Sequence, residues 1–332
     1  MKRVTLADIA AKVGVSAKTV SNVVNGTGWV GDDTRERVVI AVRELGYRPN
    51  LAARQLRNGA SGILALAIPD LREPYFAEFA SRFVSIAQQR SITVLISQTG
   101  GKRAAELACI EGEGLPALDG LVLSPLELTA EDLALRRSTQ QVVMIGEHGA
   151  SIAGTRAIHV GVDNVAAAAA ATAHLISHGR RRIAAVGVQF EGSTATSRLR
   201  FEGYQRALAA AGIKLDRALL CPVTDFNRAE GALAVEALVS SGVPVDGLVC
   251  FNDTLALGAL YTLGVHGIAV PRDVEVIGFD DIEEGRFFSP AFATIDPGVD
   301  ETARAILDVL SRRDKDTAPV HNEVPFTLVE RP

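Results

Sequence analysis

The sequence predicts an α/β protein in which parallel sheets follow a small helical unit at the N-terminus. From Gly62 onward, apolar runs typical of buried strands alternate with helical patterns at intervals of about 25 to 30 residues. The first 60 residues instead contain short amphipathic helical patterns that are separated by glycines. Strands that are apolar throughout and lie between helices are typical of parallel sheets covered on both faces.

Length and composition indicate a globular chain of several domains. A chain of 332 residues is long enough for about two or three domains and a sizeable core. No apolar run approaches the roughly 18 residues that span a bilayer. The N-terminal residues "MKRVTLADIA" lack the features of a secretory signal peptide. We therefore expect a cytoplasmic protein.

The three cysteines are isolated from one another. Cys109 lies in a helical pattern, Cys221 and Cys250 lie in strand-like runs, and their spacing does not match a metal site. We expect them to behave as small apolar residues rather than as redox or catalytic groups.

Charge is distributed unevenly along the chain. Residues 1–60 hold ten Lys and Arg against five Asp and Glu, whereas the other 272 residues hold 24 against 34. A basic head on an acidic body favours a head that binds polyanions, although a merely solvated surface is the alternative.

Residues 5–25 carry the pattern of two short helices. Thr5 is a candidate N-cap, and Asp8 follows three residues later as in a capping box. Gly14 ends the first helical pattern, and Ser16 is a suitable N-cap for a second helix. The expected apolar residues of the two helices are Leu6, Ile9, Ala10, Val13, Val20, Val23 and Val24.

A third helical pattern, "DDTRERVVIAVRELGY", is expected to pack on the first two through Val38, Val39, Val42 and Leu45. Two short helices joined by a glycine-containing turn form a helix-turn-helix. The second helix presents Lys, Ser and Asn, which can bond base edges and phosphates. A small helical bundle with a polar surface is the alternative.

The stretch "PNLAARQLRNG" predicts a helix of barely two turns over Leu51–Asn58, with Asn50 as its N-cap. Isolated helices below about 12–15 residues are marginal in water. We therefore expect this helix to be marginal in the free protein, and its Arg54 and Arg57 could reach phosphates. A plain linker is the alternative.

The helix spacing together with "YRPNLAARQLRNG" resembles the LacI/GalR family of transcriptional regulators, the lactose, galactose and purine repressor family. The likeness runs from about Val4 to the C-terminus. It implies that Leu56 is a wedge that enters the minor groove and kinks the duplex. It implies DNA-binding roles for Thr5, Ser16, Ala17, Lys18, Thr19, Ser21, Asn22, Asn25, Asn50, Ala53, Arg54 and Leu56.

By this resemblance, Ala17, Lys18 and Asn22 occupy the positions that read the base sequence. Many relatives carry Arg where this chain has Asn22. Asn pairs better with adenine than with guanine, so Lys18 is the residue here that could bond a guanine.

The body holds two series of strand-like runs. The first is "GILALAIPDL", "ITVLISQT", "GLVLSP" and "QVVMIGE", and the second is "AIHVGVD", "RIAAVGV", "LLCPV", "GLVCFND" and "VEVIGFDD". Such sheets bind ligands beyond the carboxyl ends of their strands. Polar groups and aromatics at those ends suit a polyhydroxylated or heterocyclic ligand, although each acidic residue could instead cap a helix. These residues are Asp70, Tyr75, Phe76, Gly146, Glu147, His148, Asp163, Asn252, Asp253, Asp280 and Asp281.

For the body, the resemblance implies two similar lobes around a cleft, as in periplasmic sugar-binding proteins. Glu147 follows Gly146 at a position where some sugar-binding relatives have Asp. The effector-binding residues that it implies are Tyr75, Phe76, Glu147, Arg200, Phe226, Asn252 and Asp280.

The expected domain boundaries also follow from the resemblance. Residues 1–48 form the helix-turn-helix domain and 49–59 the hinge helix. Residues 60–161 and 291–320 form the N-terminal lobe, and residues 162–290 and 321–332 form the C-terminal lobe. No leucine heptad follows "LVERP", so we expect a homodimer.

We therefore predict a repressor of carbohydrate catabolic genes that a small effector, a sugar or related metabolite, releases from a near-palindromic operator. A corepressor-dependent regulator and a stand-alone sugar-binding protein of a transport system are the alternatives. An enzyme is disfavoured because the sequence has no G-x-S-x-G motif, no P-loop and no metal-binding motif among its six histidines. We expect no cofactor and no metal.

Overall fold

The computed structural model describes residues 4–47, 61–154, 156–190, 194–312 and 321–331. Contacts divide the chain into two compact units, Met1–Ser61 and Gly62–Pro332, called here the head and the body. The predicted hinge helix lies outside the described residues, and so do four candidate DNA-binding residues, Asn50, Ala53, Arg54 and Leu56.

The head contains the three expected helices, α1 (Leu6–Val13), α2 (Ala17–Asn25) and α3 (Asp32–Glu44). The Thr5 side chain accepts a hydrogen bond from the Asp8 N–H, and the Asp8 carboxylate accepts one from the Thr5 N–H at 2.7 Å. Ser16 caps α2 by accepting from the Thr19 N–H at 3.0 Å. The predicted caps are therefore confirmed.

The core of the head is small. Ile9, Val13, Val20, Val38 and Ala41 are buried in it, with half-buried residues packed around them. The expectation that Val39 points inward was wrong, since that side chain is 38% exposed. A helix turns once in 3.6 residues, so the inward face that starts at Val38 continues at Ala41 and not at the adjacent residue.

The first sheet of the body has six parallel strands in the order β11-β5-β4-β3-β1-β2. The sequence pattern assigns the "AIHVGVD" run to the second series, and this prediction is wrong. The strand formed by the run pairs with the "QVVM" strand of the first sheet. The strands are β1 (Ile63–Ile68), β2 (Thr93–Gln98), β3 (Gly120–Leu123), β4 (Gln141–Met144), β5 (Ile158–Val162) and β11 (His321–Val324).

The second sheet has four parallel strands in the order β7-β6-β8-β9. A separate antiparallel pair joins β10 to β12, and Ala293 forms a bridge to Ile277 that brings this pair against the second sheet. These strands are β6 (Ile183–Val188), β7 (Leu220–Pro222), β8 (Gly247–Cys250), β9 (Glu275–Ile277), β10 (Thr294–Asp296) and β12 (Thr327–Val329).

Helices lie between the strands and bury apolar clusters against both sheets. They are α4 (Pro74–Gln89), α5 (Arg103–Glu111), α6 (Ala130–Leu135), α7 (Gly146–Ile152), α8 (Asn164–Ser177), α9 (Ala195–Ala210), α10 (Arg228–Ser240), α11 (Asp253–Val265), α12 (Glu283–Phe287) and α13 (Val299–Ser311). The predicted α/β fold with parallel sheets is confirmed. Within the described residues, no helix is both long and apolar enough to cross a membrane.

Helices α8 and α9 pack unusually closely. A Cβ atom added to Gly203 of α9 would lie 2.3 Å from the Val165 carbonyl oxygen of α8, so only glycine fits there. Ala167, Ala168 and Ala171 of the alanine run are buried on the facing side. This contact sets the position of Arg200, one turn before Gly203, relative to the start of α8.

The chain passes between the two lobes later than the expected boundaries at 290/291 and 320/321. Asp280 N–H donates to the Ile295 carbonyl at 2.8 Å, so residues up to β10 stay with the second lobe. β11 is hydrogen-bonded to β5 in the first sheet, so the last passage follows Val324. Backbone pairing, which the apolar pattern does not specify, determines both boundaries.

The three cysteines are all buried, and none of them forms a disulfide bond. Burial raises the pKa of the Cys221 thiol to about 12, which keeps it in the unreactive thiol form.

Candidate ligand cleft and nucleic-acid interface

Arg200 lies at the centre of a buried polar cluster in the body. It is 5% exposed, and its Nε donates to Asn164 Oδ1 at 2.9 Å. One Nη donates to the Phe251 carbonyl oxygen, and the guanidinium lies 3.5 Å from the centroid of the Phe279 ring. A planar cation over an aromatic face is stabilised by the ring quadrupole. The side chain is therefore held on several sides at once.

Glu147 faces Arg200 from the first lobe. It is the second residue of α7, which begins directly after β4. Arg200 Nη2 donates to Glu147 Oε1 at 3.1 Å, and Thr196 Oγ1 donates to Oε2 at 2.7 Å. Arg200 and Thr196 both lie on α9 of the second lobe, so these bonds join the two lobes directly.

Asp280 faces the same arginine from within the second lobe. Its Oδ1 lies 3.8 Å from Arg200 Nη1, a charge contact rather than a hydrogen bond. Its φ of 111° falls in the left-handed region that favours glycine. Strained residues of this kind persist where surrounding structure holds them and cluster at ligand sites.

The two carboxyl groups around Arg200 are shifted in opposite directions. Burial alone would raise the pKa of Glu147, but the Arg200 charge and the Thr196 hydrogen bond lower it overall. Burial raises the pKa of Asp280 well above its usual value, and the more distant Arg200 charge offsets this only in part. The two carboxyl groups therefore differ: the close Arg200 contact favours the ionised form of Glu147, whereas burial opposes the ionised form of Asp280.

Tyr75 and Phe76 lie in the first turn of α4. Their rings meet edge to face with centroids 5.3 Å apart. Tyr75 belongs to the first lobe but packs against the core cluster of the second lobe. Burial raises the pKa of Tyr75, and the charges of Asp280 and Glu147 add to this, which places the phenol in the same electrostatic environment as Arg200. Phe76 packs on the first-lobe core instead.

Phe226 and Asn252 lie together in the second lobe. Asn252 is the N-cap of α11, because its Oδ1 accepts from the Leu255 N–H at 2.8 Å, and its Nδ2 lies 3.5 Å from the Phe226 carbonyl. The alternative of a helix cap thus holds for Asn252, and Asp163 likewise caps α8. The Phe226 ring is half-buried and meets Phe251 edge to face.

Three residues that contact this cluster were not predicted from the sequence. Asn164 and Phe279 contact Arg200, and Thr196 contacts Glu147. Thr196 and Arg200 are four residues apart on one helix face, a spacing that could have indicated the pair. Asn164 and Phe279 are brought to Arg200 only by the packing of separate elements.

Asp253 lies below the Asp280 loop and is fully buried. It accepts from the Thr294 hydroxyl at 2.7 Å and from the Ile282 N–H at 3.0 Å. Burial raises its pKa to about 7 despite these bonds. Asp253 therefore links the loop that carries Asp280 and Ile282 to the strand that carries Thr294.

In the head, the candidate DNA-binding side chains differ in exposure. Ser16, Ala17 and Lys18 are exposed at the start of α2, whereas Ser21 and Asn22 are half-buried. Asn22 lies against the next loop, since a Cβ added to Gly28 would be 2.9 Å from its Nδ2. Of the other candidates, Thr5 is exposed, Thr19 is half-buried and Asn25 lies in α2.

The head and the body together define a class of protein. The head is a helix-turn-helix whose second helix begins with exposed polar residues, and the body has two lobes joined at a buried cluster of opposite charges. Such a chain is a ligand-binding body that carries a nucleic-acid-binding head.

Comparison with known proteins agrees with this class. Residues 5–50 match the family described as bacterial regulatory proteins, lacI family, and residues 172–332 match a periplasmic binding protein-like domain. The chain is 31% identical over 312 residues to the HTH-type transcriptional regulator AscG of Escherichia coli, covering 91% of this chain and 90% of AscG. The protein belongs to the lacI family of bacterial regulatory proteins.

Two solved structures extend the comparison over nearly the whole chain. A complex of the transcriptional regulator CelR with cellobiose is 28% identical, with a TM-score of 0.68 and 99% of each chain covered. The lac repressor dimer bound to operator and an anti-inducer is 25% identical, with a TM-score of 0.82, covering 99% of this chain and 98% of that one.

Proposed function

We propose that this protein is a homodimeric transcriptional repressor whose operator affinity is lowered by a small polyhydroxylated metabolite bound between the lobes. The observation that carries this proposal is the bridge from Arg200 and Thr196 of the second lobe to Glu147 of the first. A ligand that bonds to these groups necessarily alters the contacts between the lobes.

The chemistry of the cleft supports a ligand with several hydroxyl groups. Glu147 offers acceptor oxygens, Arg200 offers a fork of donors, and the Asp280 carboxyl group offers further oxygen acceptors. Tyr75 and Phe226 add aromatic surface on which the apolar face of a sugar ring can lie. The cellobiose bound by CelR belongs to this chemical class.

The same contacts support release of the operator by the ligand as the proposed direction of control. Ligand hydroxyls that take over the oxygens of Glu147 compete with Arg200 and Thr196 for them. Binding therefore exchanges bonds between the lobes for bonds to the ligand and favours a different lobe arrangement. We expect that arrangement to have the lower operator affinity, although a corepressor would have the opposite sign.

Operator recognition is assigned to the exposed start of α2. Lys18 is placed to bond a base edge or phosphate, and the N-terminus of α2, with Ser16 and Ala17, is suited to a phosphate. Thr5, Thr19, Ser21, Asn22 and Asn25 complete the proposed interface of the described head.

A dimer would present two such helices to successive major grooves of a near-palindromic operator. The body offers apolar surface for self-association, since Tyr261 and Val265 lie one turn apart on α11 and are 68% and 66% exposed. Phe287 is 82% exposed on the following helix. The lac repressor is likewise a dimer on its operator.

Binding of labelled native operator by the full-length protein tests the proposal. Candidate sugars, sugar phosphates and purines are first screened by thermal shift, in which a ligand at 100 times its Kd adds about 2.7 kcal/mol of stability. We expect the best ligand to weaken operator binding of the wild type. Tighter operator binding with ligand would establish corepression instead, and no effect of any stabilising ligand would contradict the proposal.

Asp280→Ala separates the two sites. Because Asp280 contacts Arg200 at 3.8 Å, beyond hydrogen-bond distance, its removal should disturb the cluster less than removal of Glu147 would, and we expect operator binding to persist while the ligand response is lost. Asp308→Ala, which removes an exposed carboxylate of α13, is the matched control. A normal ligand response of Asp280→Ala would show that the cleft has been assigned wrongly.

A further inference from the structure

Two histidines and a glutamate converge on the second lobe, away from the cleft residues described above. His174 and His178 lie one turn apart at the end of α8, and Glu330 follows β12 near the C-terminus. One ligand atom from each of the three lies within 4.8 Å of the others. Histidines at i and i+4 on one helix face are a common pair of metal ligands.

The separation between His174 and Glu330 agrees with that of two ligands of a tetrahedral metal centre. Zn–N and Zn–O bonds of about 2.0–2.2 Å place tetrahedral ligand atoms roughly 3.3–3.6 Å apart. His174 Nδ1 lies 3.6 Å from Glu330 Oε1, near the upper end of that range. Such atoms are too far apart for a hydrogen bond but well placed to share an ion.

Glu275 supports both rings from the opposite side. Its Oε1 lies 2.6 Å from His178 Nδ1 and 3.8 Å from His174 Nε2. A carboxylate accepts and does not donate, so the His178 proton is on Nδ1 and Nε2 remains for a metal. Arg180 donates to Glu275 Oε2 at 2.9 Å and fixes that carboxylate. Histidines that bind metals typically hold such a carboxylate on the other ring nitrogen.

A plain ion pair explains the cluster less well. The His174 side chain is 8% exposed, and its ring nitrogens are 3.6 and 3.8 Å from the nearest carboxylate oxygens of Glu330 and Glu275. Both distances exceed hydrogen-bond range, so neither of these carboxylates forms a close ion pair with the His174 ring.

We propose that His174, His178 and Glu330 form a binding site for a divalent transition metal of the zinc type, with Glu275 as the carboxylate that orients the histidines. Two imidazoles and a carboxylate with one open position suit Zn²⁺ better than Mg²⁺ or Ca²⁺, which prefer oxygen ligands. We expected no metal from the sequence, and the proposed site departs from that expectation. It joins α8 to a segment more than 150 residues later, which motifs of short spacing do not indicate.

Metal binding would attach the C-terminal segment to α8. Arg331, the next residue after Glu330, donates to Asp281 Oδ1 at 2.5 Å, and Asp281 directly follows Asp280. The metal would therefore fix the segment that contacts the cleft loop, without contributing a ligand to the cleft.

Zinc binding by the full-length protein, free of any polyhistidine tag and stripped with a chelator, tests the proposal. The affinity is measured by competition with a chromophoric zinc indicator, and Co²⁺ absorbance reports the coordination geometry. Glu330→Gln and His178→Gln are the informative variants: the Glu330 side chain is 70% exposed and the His178 side chain 47%, and circular dichroism of each variant checks that it folds. His266→Gln is the matched control, since His266 pairs with a single carboxylate, Glu236, at 2.8 Å on the same lobe.

We expect one Zn²⁺ per chain in the wild type and in His266→Gln, with the Co²⁺ spectrum of a tetrahedral site. His178→Gln and Glu330→Gln should each lose at least about tenfold in affinity and lose the rise in Tm that zinc gives to the wild type. A wild type that binds no stoichiometric zinc would overturn the proposal. So would His178→Gln and Glu330→Gln variants that retain the wild-type affinity.

Discussion

The candidate DNA-binding surface of the head and the candidate cleft of the body hold basic side chains in opposite environments. Lys18 is exposed at the start of α2, where water solvates its charge. Arg200 is buried among Glu147, Asp280 and Asn164, which replace its water shell. The head can thus exchange surface side chains at little cost to its fold. In the body, the residues proposed to bind a ligand also hold the lobes together.

This difference predicts where stability and function can be separated. Exposed charges contribute little to stability, because water screens them whether or not they have a partner. Removing one member of a buried ion pair instead leaves the other charge without compensation, which is strongly destabilising. Substitutions in the two regions should therefore differ most in the free energy of unfolding.

Arg200→Met should have the largest effect. It leaves the buried Glu147 without the positive charge that lowers its pKa, and we expect a loss of about 3–5 kcal/mol in the free energy of unfolding of the body. Urea unfolding followed by far-UV circular dichroism measures this loss.

The double variant with Glu147→Gln is the control for that prediction. It removes the orphaned carboxylate, so part of the lost stability should return, and the coupling between the two sites can be calculated from the four proteins. A loss below about 1 kcal/mol for Arg200→Met would show that water solvates the cluster as it does the head surface.

Asp253 should contribute one part of the pH dependence of stability, in addition to any part from Asp280, whose pKa burial also raises. Its pKa is about 7 in the folded body against 3.8 ordinarily, so between those values the folded state keeps a proton that the unfolded chain releases. The free energy of unfolding therefore falls as pH rises from about 4 to 7, by roughly 4 kcal/mol in total, and the stabilising effect is fully present only below pH 4.

Asp253→Asn should abolish the part of the pH dependence of the free energy of unfolding that is due to Asp253, because the amide does not titrate. Its oxygen can accept from the Ile282 N–H while its nitrogen donates to the Thr294 hydroxyl, which can reverse its role. Urea unfolding of both proteins at several pH values gives the comparison. Equal slopes for the two proteins would mean that Asp253 is ionised when folded.

The difference between the head and the body also explains how much of the structure could be predicted from the sequence. The head follows from signals within a few residues of one another, such as the Thr5 and Asp8 capping box and the αL glycine Gly14. The alternation of apolar strands and helices likewise predicted the parallel sheets. Family resemblance predicted cleft roles for Arg200 and Asp280, and the structure shows that the two residues lie 3.8 Å apart.

Contacts between segments that are distant in the sequence could not be predicted from such local signals. Asn164 meets Arg200 only because Gly203 lets α9 approach α8 closely, and nothing in the local pattern around Asn164 indicates this. The assignment of β5 to the wrong series has the same origin, since buried parallel strands look alike in sequence and only pairing distinguishes them. The convergence of Glu330 on His174 is a third example.

Lys18→Ala should leave stability almost unchanged and act on binding alone. If Lys18 reads a base, specific operator affinity falls by about 1–3 kcal/mol, while binding to random DNA changes little. Anisotropy of labelled operator and of a scrambled duplex measures both. An equal loss on the two duplexes would make Lys18 a phosphate contact.

Thr5→Ala should have the smallest effect, and it tests whether the head is really held by local signals. The Thr5 hydroxyl accepts from the Asp8 N–H and donates to the Asp8 carboxylate at 2.7 Å. Loss of an N-cap costs about 1 kcal/mol, so amides of α1 should exchange with deuterium roughly fivefold faster. Mass spectrometry of the α1 peptide measures this, and Thr5→Ser, which keeps the cap, should exchange as the wild type does. A variant that loses operator affinity without faster exchange would show that Thr5 acts on DNA rather than on the helix, and the head would then share with the cleft a residue whose contacts serve binding first.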